Sequence, residues 1–269
     1  MSIQDIIAPL GHTIIALSSP PNAEVGENSV RAWVDHLNSV SDAINQKPVI
    51  LVIPFSDIVE ATAFAAQAEV KTSYRIVCVC YHGAGGQEPE LAAAMASALA
   101  DSADPALPFN GVNLGGITAV EDQFKLTFER VEAALNQGVC MIQTGADGLP
   151  EIVRAVSTYR VNPDSGDDDD LMLDINGALT IDYVRKVMRT AASKERRRKN
   201  TAAQRRNLRS IFLAEALKLD HAEILQNVKA TTNDLTVTED AIDRYRVNAA
   251  IPADWVRGMH VVAATLNVY

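Results

Sequence analysis

A histidine among glycines, three cysteines and an acidic run are the residues whose chemistry would matter first. Tyr81-His82-Gly83-Ala84-Gly85-Gly86 directly follows an apolar run at Arg75–Tyr81. That is the carboxyl end of an expected strand, where open α/β sheets bind ligands. An oxyanion loop there needs a nucleophile, and the chain contains no GxSxG elbow. A phosphate loop needs GxGxxG, or GxxxxGK followed by Ser or Thr, and neither occurs. Glycines turning the chain over a sheet edge explain the segment without chemistry. His12, His36, His82, His221 and His260 are scattered, with no i,i+4 pair and no HExxH. Cys78 and Cys80 alternate along one strand without forming CxxC, and Cys140 lies in another apolar run; core thiols of a reducing compartment are expected. Asp147 reads as a turn residue in Gly145-Ala146-Asp147-Gly148. Asp167–Asp170 lacks the alternating ligands and distal glutamate of a calcium loop, so it reads as a solvated acidic loop. No catalytic, cofactor-binding or metal-binding residue is assigned, no cofactor is expected, and the chain is read as a non-enzyme.

The elements around these residues follow from periodicity. The chain has 269 residues, 48% hydrophobic and 22% charged, a composition that builds a sizeable core. It has no apolar run long enough for a membrane helix and no secretory signal at Met1–Asp5. Apolar runs at His12–Ser18, Val49–Phe55, Arg75–Tyr81 and Val139–Thr144 predict strands. Helical patterns separate them at Asn28–Ile44, Ser56–Glu69 (with Ser56 as the expected cap), Pro89–Leu99 and Val120–Asn136. Strands apolar on both faces and joined by helices predict a mostly parallel sheet in a three-layer α/β sandwich.

The second half is different in charge and pattern. Residues 1–150 carry 6 Lys and Arg against 17 Asp and Glu, whereas residues 151–269 carry 18 against 17. Eleven basic residues fall between Arg185 and Arg209, opposed only by Glu195. This shift predicts two domains, residues 1–150 and 151–269, the second a small α+β unit. Glu151–Tyr159 alternates like a half-buried strand, and helices are expected at Leu179–Ala191 and Ala202–Leu219. A Thr232-Asn233-Asp234 turn before Leu235–Thr238 suggests a hairpin, and Arg246–Ile251 and Met259–Val268 are further expected strands.

The order of motifs in this half resembles the C-terminal region of contractile phage tail sheath proteins, most closely the Mu-like branch. The residues that carry the resemblance are Glu151–Tyr159, the Asn162/Gly166/Asp-rich loop, Leu173-Asp174, Thr180–Lys186, Val247–Pro252 and Gly258–Val261. Ala8–Ile14 and the stretch from Pro108 into Gly115-Gly116-Ile117-Thr118 extend it upstream. The resemblance implies a subtilisin-like sandwich without a catalytic triad, followed by an inner, tube-facing domain. It implies a structural subunit that polymerises around a tail tube and contracts to drive it through the host envelope. The source would be a phage, prophage or tailocin, the site the virion tail, with assembly in the host bacterial cytoplasm. Partners would be further copies in a helical sheath, the tail tube protein, the baseplate and the tail terminator, with no membrane span and no specific nucleic acid. Terminal arms that complete neighbouring sheets would link the subunits. The arm and further domain usual before Ile6 are missing here, which implies a fragment, a split gene or a differently built mesh.

Val247, Asn248, Ala249, Ala250 and Ile251, with Val261, Val262, Ala263, Ala264, Thr265 and Leu266, are the expected inter-subunit strands. Lys194, Arg196, Arg197, Arg198 and Lys199 are expected to face the tube. Two other functions compete. The Arg185–Arg209 block could form a nucleic-acid-binding module, although it has no aromatic stacking platform and the sequence pI is near 5.0. An enzyme would have to use the His82 loop.

Overall fold

The computed structural model describes residues 2–21, 26–42, 45–195 and 197–260. Within them the chain forms two compact units. One holds the residues up to Ala103, Leu107–Ala178 and, near the C-terminus, Met259 and His260; the other holds Asp104–Ala106 and Leu179–Gly258.

The first unit opens with helix α1 (Ile3–Ile7), where Ser2 and Asp5 form a reciprocal capping box. Its sheet has five strands, in spatial order β1 (Ile14–Ala16), β2 (Ile50–Phe55), β3 (Ile76–Cys80), β4 (Val139–Thr144) and β5 (Pro150–Arg154). The first four are parallel, with Ile53 opposite Cys78 and Cys80 opposite Met141, and β5 is antiparallel to β4. Every residue of β2 and β3 is buried, so both faces of the sheet are covered. The connecting helices are α2 (Val30–Ser41), α3 (Ile58–Ala65), α4 (Glu88–Asp101) and α5 (Phe128–Leu135), and both α3 and α4 pack on β2 and β3. This is the mostly parallel α/β architecture that the apolar runs predict.

Three local expectations change. The cap of α3 is Asp57, not Ser56: its carboxylate accepts from Val59 N at 2.7 Å and Glu60 N at 3.1 Å, satisfying two amides at once. The helix expected over Val120–Asn136 shrinks to α5, preceded by a single 3-10 turn at Asp122–Phe124. Phe124 causes the interruption by lying directly over Gly83; a Cβ on Gly83 would fall 2.4 Å from the Phe124 ring. Finally, β5 turns back onto β4 through Gly145-Ala146-Asp147-Gly148, where Asp147 accepts from Leu149 N. The expected boundary at 150/151 therefore meets a β-hairpin of the first unit, and the units divide after Ala178, inside helix α6 (Ile175–Ser193).

The second unit contains most of α6, then α7 (Ala202–His221), which Thr201 caps. Four short strands follow: β6 (Leu225–Gln226), β7 (Thr236–Glu239), β8 (Val247–Ala250) and β9 (Asp254–Trp255). They pair as two separate antiparallel ladders, β6 with β9 and β7 with β8. Val184 and Met188 of α6 and Phe212, Ala216 and Leu219 of α7 pack with Leu225, Leu235 and Trp255 in the core of this unit. The hairpin expected around Thr232-Asn233-Asp234 is instead closed by residues 240–246, because Thr231 and Thr232 bond back to the carbonyls at 227–229 and continue the preceding turn. Of the strand expected at Met259–Val268, residues 261–268 lie outside the described residues, as do Ile44 and Arg196.

Candidate functional site

The β7–β8 hairpin has no buried residue in either strand. Its register pairs Thr236 with Ala250, Val237 with Ala249, Thr238 with Asn248 and Glu239 with Val247. Just beyond the ladder, Asp240 N donates to Arg246 O at 3.1 Å. Hydrogen-bonded pairs alternate along an antiparallel ladder. Thr238–Asn248 is therefore a bonded pair, and the N–H groups of Val247 and Ala249 point away from β7. The sheet has two strands, so each keeps one edge without a strand partner among the described residues. Asn248, Ala249 and Ala250 are exposed, and Val247 is half-buried. Of the expected joining residues, Val247–Ala250 are thus paired within the chain on one side and open on the other. Ile251 follows the strand and packs against the core of the unit. Val261, Val262, Ala263, Ala264, Thr265 and Leu266 are outside the described residues.

The loop of the hairpin is held from within. Asp240 accepts from Ile242 N and Asp243 N at 2.9 Å each, and from Asn248 Nδ2 at 2.8 Å. The backbone bond from Asp243, then those from Asn248 and Ile242, lower its carboxyl pKa to about 2. Asn200 Nδ2 donates to Arg244 O, and Arg205 pairs with Glu239 at 3.1 Å.

The basic block divides into committed and uncommitted charges. Arg209 donates to the carbonyls of Leu235 and Thr232, and Arg198 pairs with Glu195. Lys194, Arg197 and Lys199 are exposed and make no ion pair among the described residues. Arg197 stands at φ +70°, a left-handed conformation that an L side chain adopts at a cost. Arg196 is outside the described residues.

In the first unit a buried polar cluster receives the chain where it returns at His260. Arg154 grips Asp174 with two bonds, Nε to Oδ1 at 2.7 Å and Nη2 to Oδ2 at 2.9 Å. His260 Nε2 stands 3.3 Å from the same Oδ1, and its Nδ1 is 2.8 Å from Asn110 Oδ1. Burial opposes ionisation of Asp174, but the bonds and charges of His260 and Arg154 outweigh it and lower the carboxyl to about 2. Asp174 and His260 both lie in the motifs that carry the family resemblance. Nothing local in the sequence joins them, so the cluster was not legible there.

The His82 loop contains no catalytic arrangement of the expected kinds. His82 Nδ1 is 3.7 Å from Asp57 Oδ2, too far for a hydrogen bond, and has no hydrogen-bond partner among the described residues. Phe124 meets its ring edge-on at 6.3 Å, and the Tyr81 hydroxyl accepts from Val120 N and shares a hydrogen bond with Thr144 Oγ1. The space left is a 120 Å³ recess walled partly by Phe124, Val131 and Ile142. Cys78, Cys80 and Cys140 are buried free thiols; burial raises all three, Cys140 to about 12, so they are inert as nucleophiles. Tyr159 O–H donates to Asp169 at 2.7 Å, giving one residue of the acidic run a structural role.

Residues 167–269 match the family described as the phage tail sheath C-terminal domain. Among curated proteins none matches the chain. Solved structures match over nearly its full length. A chain of the anti-feeding prophage baseplate superposes with a TM-score of 0.68 at 15% identity, covering 99% of this chain and 72% of that one. The anti-feeding prophage helical sheath in its contracted state gives 0.64 at 17% identity, covering 98% and 72%. The sheath tail protein of Desulfitobacterium hafniense gives 0.66 at 15%, covering 92% of this chain and 57% of its own length. Residues 167–269 are thus similar to phage tail sheath C-terminal domains, and the chain as a whole shares its fold with solved sheath proteins.

Proposed function

We propose that this chain is a structural subunit of a contractile tail sheath that polymerises helically around a tail tube and shortens to drive the tube through a host envelope. The observation that carries this reading is the open β7–β8 ladder within the span matched by the sheath family. Such an edge takes up an added strand through backbone hydrogen bonds, which join subunits irrespective of side-chain detail. In this reading the 261–266 segment of one copy lines up on Val247–Ala250 of another, a heterologous contact that builds open helices and not closed dimers. Lys194, Arg196, Arg197 and Lys199 face the tube, while Arg198 serves the fold through Glu195. Baseplate and terminator bound the polymer, and assembly takes place in the host cytoplasm. Contraction draws on a metastable lattice, each subunit moving as a body between two packings.

Electron microscopy of the purified chain mixed with its tail tube protein tests this. Helically ordered tubules around the tube are expected. Persistent monomers with intact termini would overturn the reading. Reversing Arg197 and Lys199 to Glu should reduce tube decoration and leave the fold unchanged; equal decoration would remove the tube-facing assignment.

A further inference from the structure

The exposed tip of the β7–β8 hairpin and an apolar groove on the same unit are complementary. Ile242 and Tyr245 at the tip are 96% and 98% exposed, the two most exposed of the large apolar side chains among the described residues. Two carboxylates, Asp240 and Asp243, flank them. The groove has a volume of about 520 Å³ and an apolar floor from Ile181, Val184, Met188, Phe212 and Ile251. Arg185 and Arg189 edge it. Burial, and then the charge of Arg185, lower the pKa of Arg189, with Asp182 working the other way. Arg185 stands 3.7 Å from Asp182 Oδ1, whereas Arg189 makes no ion pair among the described residues, so an anion arriving with apolar side chains meets a cation that is not yet neutralised. At nearly full exposure the tip is not seated in a groove of its own copy.

We propose that the groove between α6 and α7 receives the β7–β8 hairpin tip of a second copy, with Ile242 and Tyr245 on its floor and Asp243 meeting Arg185 and Arg189. The proposal deepens the sheath reading by adding a side-chain lock to the backbone joint at β8. Tip and groove are different surfaces of one unit, so the contact is heterologous and propagates from copy to copy. The strand joint is indifferent to side-chain identity, whereas the lock selects one partner and one register.

Cysteine trapping tests the contact whether or not long polymers form, because Cys78, Cys80 and Cys140 are buried. Copies carrying Ala192→Cys in the groove are mixed with copies carrying Arg244→Cys at the tip and oxidised, with Lys186→Cys as the exposed control. Rapid covalent dimers from the groove–tip pair are expected, with roughly tenfold less from the control pair. Ile242→Ser with Tyr245→Ser should reduce that trapping by a similar factor without altering the thermal melt, since both side chains are in water in the isolated chain. Arg189→Glu should weaken it, and Asp243→Lys in the partner should restore it. Equal trapping at the control site, or polymers that form normally with the doubly substituted tip, would overturn the proposal and leave the sheath reading standing. In the second case the groove would belong to another occupant, such as the 261–269 segment of a neighbour. Failure of the unaltered chain to assemble with its tube, with trapping intact, would have the opposite meaning.

Discussion

The five-stranded sheet and the β7–β8 hairpin are both short-stranded β structure, yet one is finished and the other is not. β2 and β3 are buried at every position, and their side chains fill the space between helices. β7 and β8 have no buried residue, and their hydrogen bonds run along a single seam. In the sheet, stability comes from apolar area removed from water within one chain. In the hairpin that source is largely absent, and each strand keeps one edge without a strand partner among the described residues. The proposed assembly joint therefore falls where the fold has the least apolar burial of its own.

The contrast can be broken from the sheet side with the largest effect. Ile53 is almost fully buried at the centre of β2, so Ile53→Ala should cost about 3–4 kcal/mol in denaturant unfolding, with the slope unchanged. A cost below 1 kcal/mol would mean that the sheet is not the dominant core. Next comes the buried ion pair. Asp174→Asn removes half of a two-bond grip on Arg154, and a loss of roughly 3 kcal/mol at neutral pH is expected. Because the folded carboxyl lies near 2 and its ordinary value is 3.8, its contribution is complete above about pH 4 and disappears as pH falls toward 2. Melts across that window should show the parent losing about 2 kcal/mol that the Asn variant does not lose.

Gly138→Ala follows in size. Gly138 stands at φ +80°, and a Cβ there would lie 3.0 Å from Thr158 Cα and 3.1 Å from Ser157 O, backbone atoms that cannot rotate away. A loss of about 2 kcal/mol is expected, and a neutral result would show that this turn relaxes. The smallest effect on stability sharpens the comparison most. Ala249→Pro removes only an outward N–H of β8, so unfolding should change by less than about 1 kcal/mol while assembly with tube is lost. Asn248→Pro strikes the inward side and should loosen the hairpin itself. Equal assembly by Ala249→Pro would exclude this edge as the joint.

The sequence made the central sheet legible because long apolar runs have one physical use in a covered sheet, and the strands at 50–55, 76–80 and 139–144 follow those runs closely. It was less informative where tertiary contacts decide. Phe124 breaks an otherwise helical pattern because its ring has a place over Gly83, and no local periodicity encodes that. Glu151–Tyr159 reads as a strand, but the strand formed is Pro150–Arg154, and which sheet it joins depends on the Gly145–Gly148 turn. The tip at Ile242 and Tyr245 and the groove behind Arg189 were missed for a related reason. Apolar residues in a polar loop look unremarkable until their exposure is known, and Met188 and Phe212 read as ordinary helix stripe.

Gly83 and Phe124 together have a further consequence. The phenyl ring acts as a stopper at the end of the sheet, and the bare α-carbon beneath it is the seat that lets it close. Trimming that ring to a methyl would uncork a chamber beside an imidazole that is otherwise idle. The protein would then offer an engineer a vacant bay for small aromatic guests.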